Sequence, residues 1–185
     1  MGSSGKTSKV VVAAALATAL IPASSYTFAL VKEGTNAPNA RVEDADGKVL
    51  QMQTLKGKPI LIVYEDRDSA KQNQPLKDDL AKLATGDKYK TAIALTAIAD
   101  VSSYDWWPAK GFVKDAIKEE SKKQKTTIYC DWNGGFRKAY GIKRGVSNVI
   151  LVGRDGTVLF AAEGAMSADS RKRLVSLLGE QVNGG

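Results

Sequence analysis

The sequence predicts an α/β fold in which helices flank a central mixed sheet, with a β-hairpin near its N-terminal end and an antiparallel hairpin near its C-terminal end. Two apolar, β-branched runs at residues 60–64 and 91–99 are each followed by a segment with helical spacing of apolar residues, which is typical of parallel strands joined by helices. Two Asp-Gly pairs, Asp46-Gly47 and Asp155-Gly156, lie between short apolar stretches and predict tight hairpin turns. Together these observations favour two parallel crossovers with a hairpin on either side.

Composition narrows the chemistry that this chain can perform. Its 185 residues include no histidine and a single cysteine, Cys130. Ser-His-Asp and Cys-His catalysis are therefore excluded, the commonest zinc ligand is missing, and neither an internal disulfide nor a Cys-x-x-Cys pair can form. The formal charge of +7 falls to +5 when Lys6 and Lys9 of the predicted leader are removed. Because the other basic residues are scattered among acidic ones, the sequence predicts no nucleic-acid partner.

Residues 1–29 have the features of a secretory signal peptide, and residues 30–185 form the predicted domain. Lys6 and Lys9 give a basic start, residues 10–23 are largely apolar, and Thr27-Phe28-Ala29 offers an imperfect cleavage site. The apolar stretch is shorter than the roughly 20 residues that span a bilayer. We therefore expect export to a periplasm or to the cell exterior, with no stable membrane insertion after cleavage.

The first half of the predicted domain begins with an extended segment at 34–38 and a hairpin with strands at 41–44 and 49–52. The apolar strand 60–64 follows, and it ends in four charged residues, Glu65, Asp66, Arg67 and Asp68. A helix is predicted from Ser69 to residue 84, since Leu76, Leu80 and Leu83 recur at helical spacing. Asp68 or Ser69 is its predicted N-cap.

The middle of the chain repeats this strand-helix pattern. After the strand 91–99 comes a loop at 100–108 with Trp106 and Trp107, and then a helix at 109–123. Phe112, Val113, Ala116 and Ile117 are expected on its inward face. A short strand at 126–130 ends beside Asp131, and residues 136–140 predict one or two helical turns.

The last third predicts an antiparallel hairpin and a closing helix. The strands 149–152 and 157–160 flank Asp155-Gly156, and a helix follows Ser167, a good N-cap, and ends at Gly179, a predicted C-cap. The order of hairpin, strand, helix, strand, helix, short strand, hairpin and helix is that of the thioredoxin layout.

Several motifs strengthen this assignment. Gly34-x-x-Ala37-Pro38, Asp46-Gly47-Lys48, and the run 55–59 resemble the opening of peroxiredoxins and of exported thioredoxin-like oxidoreductases. The runs 139–142 and 145–152 resemble the second half of the same superfamily. Within it, the sequence is most similar to the YtfJ-type periplasmic proteins, which lack the redox cysteine pair. Asp68-Ser69-Ala70-Lys71 and the stretch after Asp155-Gly156 carry that similarity.

Two departures from the superfamily pattern concern the redox centre. The Cys-x-x-Cys motif would fall on Arg67-Asp68-Ser69-Ala70, and Ser147 takes the place of the cis-proline that in this superfamily helps to bind extended peptide backbone. The resemblance therefore implies the fold without the dithiol oxidoreductase activity.

The one cysteine leaves a second possibility open. Cys130 could act as a one-cysteine peroxidase or in thiol exchange, which requires an accessible thiolate in an electropositive pocket. It instead lies at the end of a predicted strand beside Asp131, which is expected to raise its pKa. A buried, unreactive thiol is the simpler interpretation.

Carboxylates gather at the predicted carboxyl end of the sheet. Glu65, Asp66, Asp68 and Asp131 could together hold a hard cation or share a proton. Arg67 lies among them, and helix capping or solvation accounts for the same residues. The sequence therefore predicts neither a metal site nor a cofactor.

A binding site at this end of the sheet is the working hypothesis. Ligands of open α/β sheets gather at the carboxyl ends of the strands, and tryptophans beside polar groups form good binding surfaces. The predicted site residues are Arg67, Asp68, Ser69, Trp106, Trp107, Ser147 and Asn148. The partner would be a protein or peptide of the envelope, bound by a non-catalytic or chaperone-like protein. Alternatively, Trp106 and Trp107 dock an assembly partner, or equally form a lid over the core.

Overall fold

A seven-stranded mixed sheet forms the centre of the computed structural model, which describes residues 29–85 and 87–184 together with Met1. The strands are β1 (Arg41–Asp44), β2 (Val49–Gln51), β3 (Ile60–Glu65), β4 (Ala94–Asp100), β5 (Ile128–Asp131), β6 (Asn148–Val152) and β7 (Val158–Glu163). The helices are α1 (Gln74–Leu83), α2 (Asp87–Ala92), α3 (Ala109–Gln124), α4 (Gly135–Tyr140) and α5 (Ala168–Asn183). The strand order is β2-β1-β5-β4-β3-β6-β7. Strands β3, β4 and β5 are parallel, and the pairs beyond them are antiparallel, which confirms the predicted fold class.

Both predicted hairpins are present. In the first, one carboxylate oxygen of Asp44 accepts hydrogen bonds from the backbone N–H groups of Asp46 and Lys48, both at 2.9 Å. In the second, Asp155 accepts from the N–H of Thr157 at 2.9 Å. Gly47 and Gly156 have φ values of 88° and 91°, which glycine adopts without strain, and an aspartate that accepts from the N–H groups of the turn fixes the reversal further.

Side-chain alternation along β3 divides the core into two layers. Ile60, Ile62 and Tyr64 point to the face that α4 covers, where the rings of Tyr64, Phe136 and Tyr140 stack at centroid distances of 5.7 and 4.3 Å. Residues of the opposite parity point to the face that carries α1, α3 and α5, and Leu61 packs there. We call these the α4 face and the three-helix face.

The first helix begins later than predicted. Helix α1 starts at Gln74, with Pro75 in its first turn, whereas the sequence predicted a start at Ser69. The N-cap prediction for Asp68 or Ser69 is wrong, because the Ser69 hydroxyl bonds Asp66 and the residue at the N-cap position is Asn73. Hydrogen bonds from the side chains of this segment to distant loops outweigh helix formation there.

The strand predicted at 91–99 is partly wrong. Residues 87–92 form α2, and β4 begins only at Ala94. Tyr89 of α2 packs with the core of the three-helix face, and the Lys88 ammonium donates a hydrogen bond to the Asn183 side chain at 2.5 Å. Contacts with α5 thus favour a helix where β-branched residues favour a strand.

Two further helix predictions need correction. Phe112 and Ala116 of α3 were expected inside but are exposed, Phe112 by 73%, whereas Val113 and Ile117 do pack against the core. Gly179 was predicted to end the last helix, but α5 continues through it to Asn183. Ser167 is the N-cap of α5 as predicted, since its hydroxyl oxygen accepts a hydrogen bond from Ser170 N at 3.1 Å.

The segment that leads into the domain packs on α4 and along β7. Val31 N donates to Tyr140 O at 3.0 Å, and the Ala29 carbonyl lies so close to Gly141 that a Cβ there would stand 1.9 Å from it. Farther along, Gly34 N and Thr35 O bond Val158, both at 2.8 Å. The predicted leader falls mostly on residues 2–28, which lie outside the described residues.

The outer edge of β7 receives one more contact from this segment. Glu33 accepts a hydrogen bond from Ala161 N at 3.3 Å and pairs with the Arg173 guanidinium through both carboxylate oxygens. The hydrogen bond from Arg173 is the main reason that the pKa of Glu33 lies below its ordinary value. In the described part of the chain, no helix has the length and apolar character needed to cross a bilayer.

Candidate functional site

The turn that follows β3 is built around the carboxylate of Asp66. One oxygen of Asp66 accepts hydrogen bonds from Asp68 N at 3.1 Å, from Ser69 N at 2.9 Å and from the Ser69 hydroxyl at 2.7 Å. The other oxygen accepts from Gly145 N at 2.6 Å. Burial raises the pKa of Asp66, but these hydrogen bonds outweigh it and leave the pKa below its ordinary value. The charged turn is therefore rigid and is attached to the loop before β6.

Glu65, the last residue of β3, points to the three-helix face. One of its oxygens accepts a hydrogen bond from the Ser147 hydroxyl at 2.9 Å, and the other pairs with the Lys77 ammonium at 2.7 Å. Lys77 also donates to the carbonyl of Ala70 at 2.6 Å. Ala70 occupies one of the two predicted redox-cysteine positions, so an ion pair holds the backbone where the superfamily has a thiol.

Gln72 and Asn73 complete the link between the loops. The Gln72 amide donates to Gly145 O and accepts from Ser147 N, both at 2.9 Å. The Asn73 amide donates to the Ser147 hydroxyl at 2.9 Å and to Gly164 O at 3.0 Å, and it accepts from Met166 N at 2.8 Å. Sequence reasoning missed both residues because it placed them inside a helix, although two adjacent amides before a proline are a signal for side-chain to backbone bonding.

These bonds bring together five of the seven predicted site residues in two adjoining loops. Ser69, Ser147 and Asn148 are fully buried, whereas Arg67 and Asp68 are exposed. The Asn148 amide nitrogen donates to Val146 O at 2.9 Å, and its oxygen has no hydrogen-bond partner among the described residues. Buried members of the set therefore shape the loops, and exposed members are free to meet another molecule.

The two tryptophans lie on a third loop at the same end of the sheet. Trp106 is 59% exposed and Trp107 is 90% exposed, and the Trp106 indole N–H donates to Ser103 O at 3.2 Å. The Arg144 side chain joins this loop to the loop before β6 by donating to the Ser102 hydroxyl at 2.5 Å. Within the described residues, the hydrogen bonds that join the loops do not involve either indole.

A second polar cluster lies on the α4 face, and the sequence did not predict it. Asp100 and Asp131 are adjacent residues of β4 and β5, and both side chains are buried. Asp131 accepts from the Tyr64 hydroxyl at 3.1 Å, and Arg137 Nε lies 3.4 Å from Asp100 Oδ2. Burial, followed by the charges of Asp131 and Asp100, raises the pKa of Tyr64. Strand parity separates this cluster from Glu65, because alternate residues of β3 face opposite sides of the sheet.

Neither polar cluster offers a set of metal ligands. Glu65 is paired with Lys77, Asp66 is occupied by four donors, and Asp131 lies on the other face of the sheet from Glu65. Across residues 29–85 and 87–184, no three or more acidic or cysteine side chains come together in a way that could hold a metal ion.

Cys130 lies in the core beneath α3. It is 1% exposed and packs with Trp132, Val113 and Ile117. Burial is the main cause that raises the pKa of its thiol to about 12, and Glu43 on the neighbouring strand adds to the effect. The sequence predicted the direction of this shift but attributed it to Asp131, whose side chain points to the opposite face. At neutral pH this thiol is protonated and shielded from solvent.

Two surface clefts lie away from the predicted site residues. One, of about 310 Å³, lies between the start of β1 and α4, and its lining includes Arg41 and Ala139. The other, of about 590 Å³, lies between the first hairpin and the end of α3 and includes Asp46 and Lys122. The predicted site residues lie on adjoining loops at the end of the sheet.

This architecture is similar to that of several solved protein structures. The thiol:disulfide interchange protein assigned as DsbE from Chlorobium tepidum shares 19% identity with a TM-score of 0.60, over 82% of this chain and 99% of that protein. The thiol peroxidase from Chromobacterium violaceum shares 15% identity with a TM-score of 0.60, over 82% of this chain and 88% of that one. A conserved protein from Geobacillus kaustophilus shares 15% identity with a TM-score of 0.61, over 83% of each chain. At these identities the similarity shows the fold alone.

Sequence comparison gives the family. A search of curated proteins found no match. The profile of a family described as "Bacterial protein of unknown function (YtfJ_HI0045)" matches residues 32–181, which is most of the chain. The chain therefore belongs to the YtfJ_HI0045 family of bacterial proteins and has a thioredoxin-like fold.

Proposed function

We propose that this protein is a non-catalytic binding protein of the bacterial envelope, which holds extended peptide or protein segments at the carboxyl end of its sheet. The observation that carries the proposal is the exposure of Trp106 and Trp107 at the end of the sheet where both redox-cysteine positions hold other residues. Large exposed indoles are unusual on a free surface and are common at the centre of protein interfaces.

Replacement of the redox centre supports a binding role rather than catalysis. Arg67 and Ala70 stand at the cysteine positions, and Lys77 and Asp66 hold the surrounding backbone through hydrogen bonds. A rigid turn of this kind orders few groups on binding, and preorganisation of that sort favours affinity. Cys130 is too deeply buried to replace the missing thiols without local opening of the fold.

The charged residues near the tryptophans affect which peptide segments the site would prefer. Arg67 and Asp68 are exposed on the turn after β3, and Lys110 pairs with Asp105 at 2.6 Å beside Trp106. Both signs are present, so the preferred segment is expected to be an extended one with apolar residues and few charges. Affinity would come from the indoles, and the charged rim would affect chiefly the association rate.

Export is part of the proposal. It rests on the basic start, the apolar stretch and Ala29 of the predicted leader. Cell fractionation followed by N-terminal sequencing tests it, and a mature chain that begins at Leu30 is the expected result. Full-length chain in the cytosolic fraction would contradict it.

Binding is tested by panning a library of random nine-residue peptides against the purified protein. We expect enrichment by the unmodified protein and a loss of at least tenfold in affinity when Trp106 and Trp107 are both replaced by serine, since each indole typically contributes 1 kcal/mol or more at an interface. Phe112→Ser is the matched control, because Phe112 is also exposed but lies on α3.

A thiol enzyme would give a different pattern. Cys130→Ala should leave peptide binding unchanged, and the unmodified protein should not reduce insulin disulfides or consume peroxide. If the variant with serine at both tryptophan positions enriches peptides as well as the unmodified protein does, the tryptophans are not the binding surface. Catalysis that disappears in Cys130→Ala would replace the binding proposal with an enzyme. Concentration-dependent oligomers that disappear in the tryptophan variant would identify the bound protein as a second copy.

A further inference from the structure

The side chain of Gln72 bridges two backbone groups of the loop before β6. Its amide nitrogen donates to Gly145 O, and its amide oxygen accepts from Ser147 N, each at 2.9 Å. The two backbone groups flank Val146 and point to the same side of the chain, since one amide reaches both. A single side-chain amide thus satisfies a donor and an acceptor that belong to neighbouring peptide units.

This is the pairing that one residue of an extended peptide can supply. In a β-strand, the N–H and C=O of the same residue point to the same side, and a paired strand uses both. The C=O of Gly145 and the N–H of Ser147 form a matching acceptor and donor on the loop. The Gln72 amide therefore occupies a short edge that has the hydrogen-bonding pattern of an unpaired strand.

The loop does not depend on Gln72 for its position. Gly145 N is held by Asp66 at 2.6 Å, the Ser147 hydroxyl is held by Glu65 and Asn73 at 2.9 Å each, and Ser147 O accepts from Gly164 N at 2.7 Å. The hydrogen bond from Gln72 to Gly145 O lies at the surface, and the one from Ser147 N is only partly buried. Loss of the Gln72 bonds would uncover the edge and leave the loop in place.

We propose that Gln72 is a displaceable internal plug, whose amide covers the backbone edge at Gly145 and Ser147 until an incoming peptide takes over the same two hydrogen bonds. This rests on the proposed function, because it specifies how access to that site is regulated. The plug lowers affinity by competition, so only a segment that also engages other contacts at the site displaces it. Selectivity against weak, nonspecific segments follows from that competition.

The test compares Gln72→Ala with Gln74→Ala in the full chain. Gln74 is the next glutamine along the chain, it is exposed, and its amide bonds only the Asp78 side chain at 2.9 Å, so its replacement is a matched control. Both variants and the unmodified protein are panned against the same nine-residue peptide library. The tightest peptide for each protein is then titrated against all three.

We expect Gln72→Ala to bind about two- to tenfold more tightly than the unmodified protein, because the competing hydrogen bonds are typically modest in net free energy. Gln74→Ala should match the unmodified protein. Equal or weaker binding by Gln72→Ala, with binding by the unmodified protein intact, would overturn the plug and leave the proposed function standing. If no peptide is enriched by any of the three proteins, both the plug and the proposed function are wrong.

A second measurement does not depend on the variant's stability. In the unmodified protein, addition of the selected peptide should shift the side-chain amide NMR resonances of Gln72 toward the chemical shifts of a solvent-exposed glutamine. The Ser147 amide should stay protected from hydrogen exchange, because the peptide carbonyl replaces the Gln72 oxygen. Unchanged Gln72 resonances at saturating peptide would contradict displacement.

Discussion

Replacement of Asn73 by alanine is the most informative test of how the site is held together. The Asn73 side chain is 1% exposed and makes three hydrogen bonds, to the Ser147 hydroxyl, Gly164 O and Met166 N. Each bond reaches a different segment from the one that carries Asn73, so the amide joins the turn after β3 to the loops before β6 and after β7. No other described side chain of that turn reaches both loops.

The cost follows from which partners remain unsatisfied. Met166 N is left without its acceptor in a buried position, at a cost of about 1–3 kcal/mol. Gly164 O is only partly buried and can bond water, and the Ser147 hydroxyl keeps its bond to Glu65. The other two lost hydrogen bonds add about 1 kcal/mol together, at the low end of the net value per bond, so we expect Asn73→Ala to lower the free energy of unfolding by about 2–4 kcal/mol. That is a substantial part of the roughly 5–15 kcal/mol of a typical domain.

Urea denaturation of the full chain measures this difference. With an m-value of about 2 kcal/mol/M, the midpoint should fall by roughly 1–2 M while the m-value stays unchanged. Gln74→Ala serves as the control, and it should shift stability by no more than about 0.5 kcal/mol, as surface substitutions usually do. If Asn73→Ala lies within that same range, the three hydrogen bonds do not hold the loops together.

Three further predictions concern other parts of the fold. Cys130 should react slowly with a thiol reagent in the folded protein and rapidly in urea, because burial raises its pKa to about 12; fast labelling of folded protein would contradict this. Glu33→Gln should cost about 0.5–1 kcal/mol at pH 7 by urea denaturation. Arg173 lowers the pKa of Glu33 in the folded protein, so the difference in stability between the two proteins should be fully present above the ordinary carboxyl pKa. It should disappear as the pH falls through the lowered pKa of folded Glu33, and a difference that does not change with pH would refute the pairing. In the full chain, which retains Ala29, Gly141→Ala should destabilise the fold by at least about 1 kcal/mol more than Gly145→Ala, and equal urea midpoints would contradict this. Both glycines have positive φ, but only at Gly141 would the new Cβ meet backbone, at 1.9 Å.

The order of strands and helices could be predicted from the sequence because its signals are local. Gly47 and Gly156 supply the positive φ of the two hairpin turns, in which Asp44 and Asp155 accept hydrogen bonds from nearby N–H groups. Ser167 caps α5 through its own hydroxyl. The strand β3 is apolar on both faces, so both faces must be covered, and this places it at the centre of a sheet. In each case the residues that determine the structure lie within a few positions of one another.

The errors share the opposite property. Asn73 forms hydrogen bonds with partners that lie 74, 91 and 93 positions later in the sequence, and Tyr89 packs against the distant helix α5. The local sequence pattern of these two segments therefore does not reveal their structure. Helix α5 continues through Gly179 because it has buried residues on both sides of that glycine, Leu178 before it and Val182 after it. Tertiary contacts decide all three segments, and a single sequence does not display them.

Of the candidate site, the location was predictable and the division of roles was not. The carboxyl ends of parallel strands meet by construction, which explains why Arg67 and Asp68 lie near the loop that carries Ser147. Which of these side chains are buried depends on the hydrogen bonds that Asp66 and Glu65 accept from the loop before β6. A single sequence does not show this, since the partners are the Gly145 N–H and the Ser147 hydroxyl, 79 and 82 positions away.

The covered edge of β7 has a consequence for how this protein behaves at high concentration. An open strand edge can pair with the same edge of another molecule, and repetition of that event builds fibrils. Here the chain lies along part of that edge itself, with the backbone of Gly34 and Thr35 on Val158 and the carboxylate of Glu33 on Ala161. A charged acceptor that fills the N–H of an edge strand also repels an approaching strand carbonyl. The lead-in to the domain thus protects the folded protein from aggregation, and a chain that begins after Thr35 would lose that protection along with the two backbone hydrogen bonds to Val158 and this carboxylate contact.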